Sequence, residues 1–80
     1  MTRDDVIERL TPIASRVFNE EDIKLRNDMS AQTMDSWTSL SFMQLLTAVE
    51  EEFGFKFKMM ELLKLETMGD IIDTILLHIS

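Results

Sequence analysis

Apolar residues return every three to four positions in three separate stretches of this chain, and that spacing most narrows the folds open to it. Val6, Ile7, Leu10, Ile13, Ala14, Val17 and Phe18 form the first stripe. Phe42, Leu45, Leu46, Val49 and Phe53 form the second, and Met68, Ile71, Ile72, Ile75, Leu76 and Ile79 the third. A stripe on one face of a helix is buried only against a neighbour, so three long helices must share a core. The spacing predicts a first helix from about Arg3 to Phe18, with Thr2 and Asp5 placed as a cap and its return partner. It predicts a second helix from Ser39 to Phe53, closed by Gly54, which suits a left-handed helix end. The last helix starts at Thr67, with Asp70 three residues on, and runs to about His78. Pro12 lies inside the first pattern, where its missing N–H and its ring predict a kink or local break between Glu8 and Pro12.

From Asn19 to Thr38 no period survives, and single anchors (Ile23, Leu25, Met29, Met34) pin a long connection across the bundle. Loops of this length inside a compact domain are uncommon and usually functional. This one delivers Trp37, read as an anchor at the junction, and Ser39 to the second helix. Beyond Gly54, Phe55 and Phe57 alternate with Lys56 and Lys58, the two-residue period of an extended segment laying its rings on the core. Met59 to Lys64 reads as a short helix. The expected fold is all-α: a small four-helix bundle, three helices long and one short, with a long first loop, residues 1–80 forming one domain. A domain of this size buries only about 60% of its unfolded surface and is marginally stable.

Composition then removes whole classes of function. Fifteen acidic against eight basic residues give a net charge of −7, which repels nucleic acid and favours basic partners. With no cysteine, the protein itself supplies no disulfide, thiolate metal site or Cys nucleophile. A serine hydrolase lacks its parts: there is no Gly-x-Ser-x-Gly elbow, and the lone histidine, His78, stands in the last turn as a surface residue. MTRDDVIERL lacks the apolar core of a signal peptide, and no apolar run approaches the roughly 20 residues of a membrane span. The expectation is a soluble, cytoplasmic, monomeric, metal-free protein that is not an enzyme. Its seven methionines read as adaptable packing residues.

The second helix also offers a surface. Gln44, Thr47, Ala48 and Glu51 fall opposite its apolar stripe, while Leu40 and Met43 lie off the stripe beside Ser39. Glu50 and Glu51 are expected on its exposed side. Within WTSLSFMQLLTAVEEEFG, Trp37 to Gly54, the chain resembles the acyl carrier proteins. Their pattern is an Asp-Ser-Leu triplet, often preceded by Trp, at the start of the second helix, which ends in a run such as EEEFG. The matching residues here are Trp37, Thr38, Ser39 and Leu40, then Glu50 to Gly54, and the resemblance extends from Val6 to Ile79.

The resemblance implies that Ser39 receives 4'-phosphopantetheine from coenzyme A through a phosphodiester, and that the arm's thiol holds an acyl group as a thioester. It implies a carrier serving fatty acid, polyketide or related biosynthesis. Its partners would be a phosphopantetheinyl transferase and acyl-loading, acyl-transferring or condensing enzymes with basic docking surfaces, met by Thr38, Leu40, Met43, Gln44, Thr47, Glu50 and Glu51. Two features depart from the pattern. Thr38 stands where the family has Asp, and Lys56 and Lys58 occupy a region where related carriers often show acidic residues and a proline. Asp35, Ser36 and Trp37 imitate the triplet three residues early, but the distance to the EEEFG end favours Ser39. An aminoacyl or peptidyl carrier, or an unmodified helical adaptor docking through Leu40, Met43 and the glutamates, are the alternatives.

Overall fold

The computed structural model describes residues 1–79. Among them are four helices, α1 (Arg3–Phe18), α2 (Ser39–Phe53), α3 (Met59–Leu62) and α4 (Met68–Ile79), and no strand. The sole β feature among those residues is an isolated bridge between Ser30 and Thr67. The all-α order of three long helices, one short helix and a long first loop is the one the apolar spacing predicts.

Helix α1 opens on a reciprocal box: the Asp5 N–H donates to Thr2 Oγ1 at 3.2 Å, and the Thr2 N–H donates to the Asp5 carboxylate at 3.0 Å. It closes on Asn19, held left-handed at φ 55°, whose N–H donates to the Ser15 carbonyl. Of the kink or local break expected between Glu8 and Pro12, the break does not occur, since the helix runs unbroken through Pro12. Both Pro12 and Glu8, whose carbonyl loses its usual donor, are exposed, where solvent can supply the missing donor.

Helix α1 packs against both α2 and α4, and the three stripes meet in one core. Val6, Leu10 and Ala14 from α1, Leu45 and Val49 from α2, and Met68, Ile71 and Ile75 from α4 have no exposed surface. Phe42 and Phe53 are half-buried at its edges.

The connection between α1 and α2 is anchored as its spaced apolar residues predict. Ile23 and Trp37 are buried, and Leu25, Met29 and Met34 lie half-buried on the core. Its middle is tied to the start of α4, where the Met68 N–H donates to the Met29 carbonyl at 2.8 Å and the Gly69 N–H to the Asn27 carbonyl at 3.1 Å. These bonds satisfy amides that a helix start would otherwise leave unpaired. Glycine permits the approach, since a Cβ on Gly69 would lie 3.1 Å from the Asn27 oxygen. Arg3 adds a side-chain bond to Asn27 Oδ1 at 2.6 Å and pairs with Asp73 on α4. The α4 cap is the predicted Thr67–Asp70 pair, with both reciprocal bonds at 3.1 Å.

Helix α3 is shorter than expected, ending at Leu62 instead of Lys64, and buries none of its residues. Ahead of it Phe55 and Phe57 pack edge to face at 4.9 Å, half-buried on the core. His78 is not the free surface residue that its place on the α4 wheel suggests. Its Nε2 lies 2.9 Å from both carboxylate oxygens of Glu61, and its ring stacks on Phe55 at 4.3 Å with planes 10° apart. Glu61 also accepts the Lys58 N–H at 2.8 Å. The Lys58 amide first, and the His78 hydrogen bond second, hold the Glu61 carboxyl below its ordinary pKa of 4.5. Through His78, α4 holds α3 in place.

Candidate functional site

The start of α2 is fixed from below by Trp37, buried and stacked between Phe18 (5.5 Å between ring centres) and Phe42 (6.0 Å). The large flat ring sets where the long loop ends, and the next residue, Thr38, caps the helix. Its Oγ1 accepts the Ser41 N–H at 3.2 Å, while Ser41 Oγ accepts the Thr38 N–H at 2.8 Å. Ser41 thus plays the part that Glu or Gln takes in most capping boxes. Its hydroxyl also donates to the Ser36 carbonyl at 2.7 Å, which ties the loop to the helix. Sequence reasoning assigned Ser41 no role, although its place three residues after a cap threonine carried the signal.

Three serines cluster here, and only one offers its hydroxyl to solvent. Ser36 Oγ is buried without a partner, and Ser41 is buried and engaged on both sides. Ser39, the first residue of α2, is exposed, and no side-chain hydrogen bond among the described residues engages it. Access therefore separates Ser39 from the early Asp35–Ser36 imitation.

Around Ser39 the helix end is electropositive. With the Ser41 amide capped and the Phe42 amide bonded to the Thr38 carbonyl at 2.8 Å, the Ser39 and Leu40 amides are left without a partner among the described residues. The first turn contains no carboxylate. An ester phosphate on Ser39 would thus face two donor amides and the positive end of the helix dipole with no like charge in that turn. The residues fit a phosphopantetheine group. Beside Ser39 lies an open cleft of about 630 Å³ walled by Ser30, Trp37, Phe42, Leu65 and Thr67.

Farther along α2, Leu40 and Met43 are 69% and 58% exposed, with Gln44, Thr47 and Glu51 exposed beside them, as the helical wheel places them. Ala48 departs from that wheel and lies half-buried against the core. Glu50 also departs: it is half-buried, and its carboxylate accepts the Phe57 N–H at 2.8 Å. The cause is the chain reversal at Gly54 (φ 74°), which returns the Phe57 amide to the side of α2. Glu52 is engaged as well, by Arg9 of α1. The guanidinium donates to its carboxylate at 2.7 and 2.9 Å and to its carbonyl at 2.9 Å, and lies 4.7 Å over the Phe53 ring. Of the three consecutive glutamates, Glu51 alone is left exposed and without an intramolecular partner among the described residues.

Among the described residues no cluster of His, Cys, Asp or Glu could hold a metal ion, and no helix is long and apolar enough to cross a membrane.

A family model described as the phosphopantetheine attachment site matches residues 8–75. Among solved structures, the holo acyl carrier protein of Geobacter metallireducens is similar with a TM-score of 0.80 and 38% identity, over 88% of this chain and 80% of that one. A Mycobacterium tuberculosis protein provisionally described as an acyl carrier protein gives 0.79 over 91% of this chain and 97% of its own. At 19% identity it speaks to the fold alone. A search of curated proteins found no significant match.

Proposed function

Since the chain belongs to the acyl carrier protein family, which carries cargo on 4'-phosphopantetheine and has no catalytic activity of its own, we propose that Ser39 is the residue that bears the arm. The observation that carries this reading is the free, exposed hydroxyl of Ser39 at the first turn of a long helix, between one serine whose Oγ is buried and another whose Oγ is engaged. In a step catalysed by a partner transferase, Ser39 Oγ would attack the phosphopantetheine phosphorus of coenzyme A, the pyrophosphate P–O bond breaking as the serine O–P bond forms, with 3',5'-ADP leaving and the hydroxyl proton passing to the transferase. The arm's thiol then holds the acyl group as a thioester.

The chain's own residues do the rest without catalysis. Thr38 and Ser41 keep the helix end rigid, the Ser39 and Leu40 amides stabilise the phosphate, and Trp37 fixes the site to the core. Leu40, Met43, Gln44, Thr47 and Glu51 form the face that approaching enzymes read, and Thr38 borders it. Glu50, tied to the Phe57 amide, supports that face from beneath. The cargo we assign is an acyl group of fatty acid, polyketide or related biosynthesis, in a monomeric protein of the cytoplasm.

Intact mass after incubation with coenzyme A and a broad-specificity phosphopantetheinyl transferase tests the site. One phosphopantetheine is expected on the parent chain and on Ser36→Ala, and none on Ser39→Ala. Modification that persists on Ser39→Ala moves the site, and a parent chain that no transferase modifies favours the unmodified adaptor.

A further inference from the structure

Segment 56–64 inverts the charge of the chain around it. The protein carries −7 overall, yet Lys56, Lys58 and Lys64 are all exposed, and among the described residues none of them pairs with a carboxylate. The only carboxylate within the segment, Glu61, is half-buried and already held by the Lys58 amide and His78. Between the lysines stand Met59, Met60 and Leu63, exposed by 73%, 68% and 78%. Three large apolar side chains this exposed within five residues form a patch, not the scattered single residues normal on a surface. The patch is held in place: Glu61–His78, the Phe55–Phe57 pair and the half-buried Leu62 fix α3 to the body, while Met59, Met60 and Leu63 face outward.

We propose that this surface docks a partner protein through an apolar face rimmed by carboxylates. Enzymes served by this carrier would then present charge of both signs, basic opposite Glu51 on α2 and acidic opposite α3. The α2 half of that statement rests on the proposed function. The α3 half stands on its own charges and exposures. A docking surface basic throughout would meet three unpaired lysines and be repelled at this end. An anionic lipid surface has the right sign for the lysines, but it would have to accept a molecule of net charge −7, whereas a locally acidic protein face need not.

The methionines make the test direct. Methyl groups of Met59 and Met60 report on the patch, Met43 on α2, and Met68, fully buried, on the integrity of the core. The full chain, methyl-labelled at methionine, is titrated with two synthetic amphipathic helical peptides that share a leucine face and differ in rim, one Glu and one Lys. Mixed phosphatidylcholine–phosphatidylglycerol vesicles form a third arm. The Glu-rimmed peptide is expected to shift Met59 and Met60 and spare Met43, and the Lys-rimmed peptide to do the reverse.

Combining Lys56→Ala, Lys58→Ala and Lys64→Ala should weaken the Glu-rimmed peptide about tenfold at low salt, as expected for three exposed ion pairs, with Met68 unmoved. Unchanged affinity in that variant overturns the proposal, as does a Glu-rimmed peptide that shifts Met43 instead. So do Met59 and Met60 shifts produced by vesicles and not by the peptide. Mass gain with a transferase is read on the same samples. Its failure on the parent chain would remove the Ser39 reading without touching the peptide result.

Discussion

Thr38→Asp is the substitution that separates capping from recognition at the site. Thr38 caps α2 by accepting the Ser41 N–H at 3.2 Å, and an Asp carboxylate reaches the same amide, so the cap itself is kept. What changes is charge, at a helix end whose first turn has no carboxylate. A unit charge about 4 Å from the half charge of a helix end is worth about 0.5 kcal/mol at the dielectric of water. That lies within the roughly 0.3 to 1 kcal/mol measured for such placements. For a domain of this size it corresponds to a rise in Tm of about 1 to 8 °C.

The helix end lowers the new carboxyl's pKa, so the gain is present above the ordinary Asp value of about 3.9 and is lost as pH falls through the lowered one. Thermal unfolding at low and high salt reads the stability effect, and kcat/KM with the transferase reads recognition. The expected result is a rise in both, each fading as salt screens the charge. Lower stability in the Asp variant would refute the capping geometry. Higher stability with unchanged kcat/KM at low salt would make position 38 a cap alone and leave recognition to Leu40, Met43 and Glu51. Slower modification would show that the matching enzyme requires a neutral residue there.

Two further predictions concern what holds the site. Leu46 is buried in the α2 stripe, 4% exposed, so Leu46→Ala should cost about 2 to 5 kcal/mol in chemical denaturation. A loss below about 0.5 kcal/mol, the scale of a surface change, would mean that this face of α2 is not packed as a core. Glu61 has a carboxyl pKa lowered by the Lys58 amide and His78, so its stabilising effect is full above 4.5 and disappears as pH falls through the lowered value. Glu61→Gln should therefore be less stable than the parent at neutral pH and lose less on acidification. Equal loss in both proteins would place the acid sensitivity elsewhere.

The sequence alone determined what depends on neighbours along one helix. The three apolar stripes fix which faces of α1, α2 and α4 meet, because side chains three and four residues apart share a face whatever the rest of the chain does. The same local rules placed the Thr2–Asp5 and Thr67–Asp70 caps, the left-handed end at Gly54, and the exposure of Leu40 and Met43 beside Ser39. Only the tertiary structure decided how similar residues divide their work. Glu50, Glu51 and Glu52 are chemically identical neighbours, yet one is tied to the Phe57 amide, one to Arg9 from another helix, and one is free. Ser36 and Ser39 differ in access because Trp37, between them, turns into the core. His78 becomes a tie and not a surface residue through Glu61, seventeen positions away. Such pairings depend on which helix the loops bring alongside, and a helical period carries information only about its own helix.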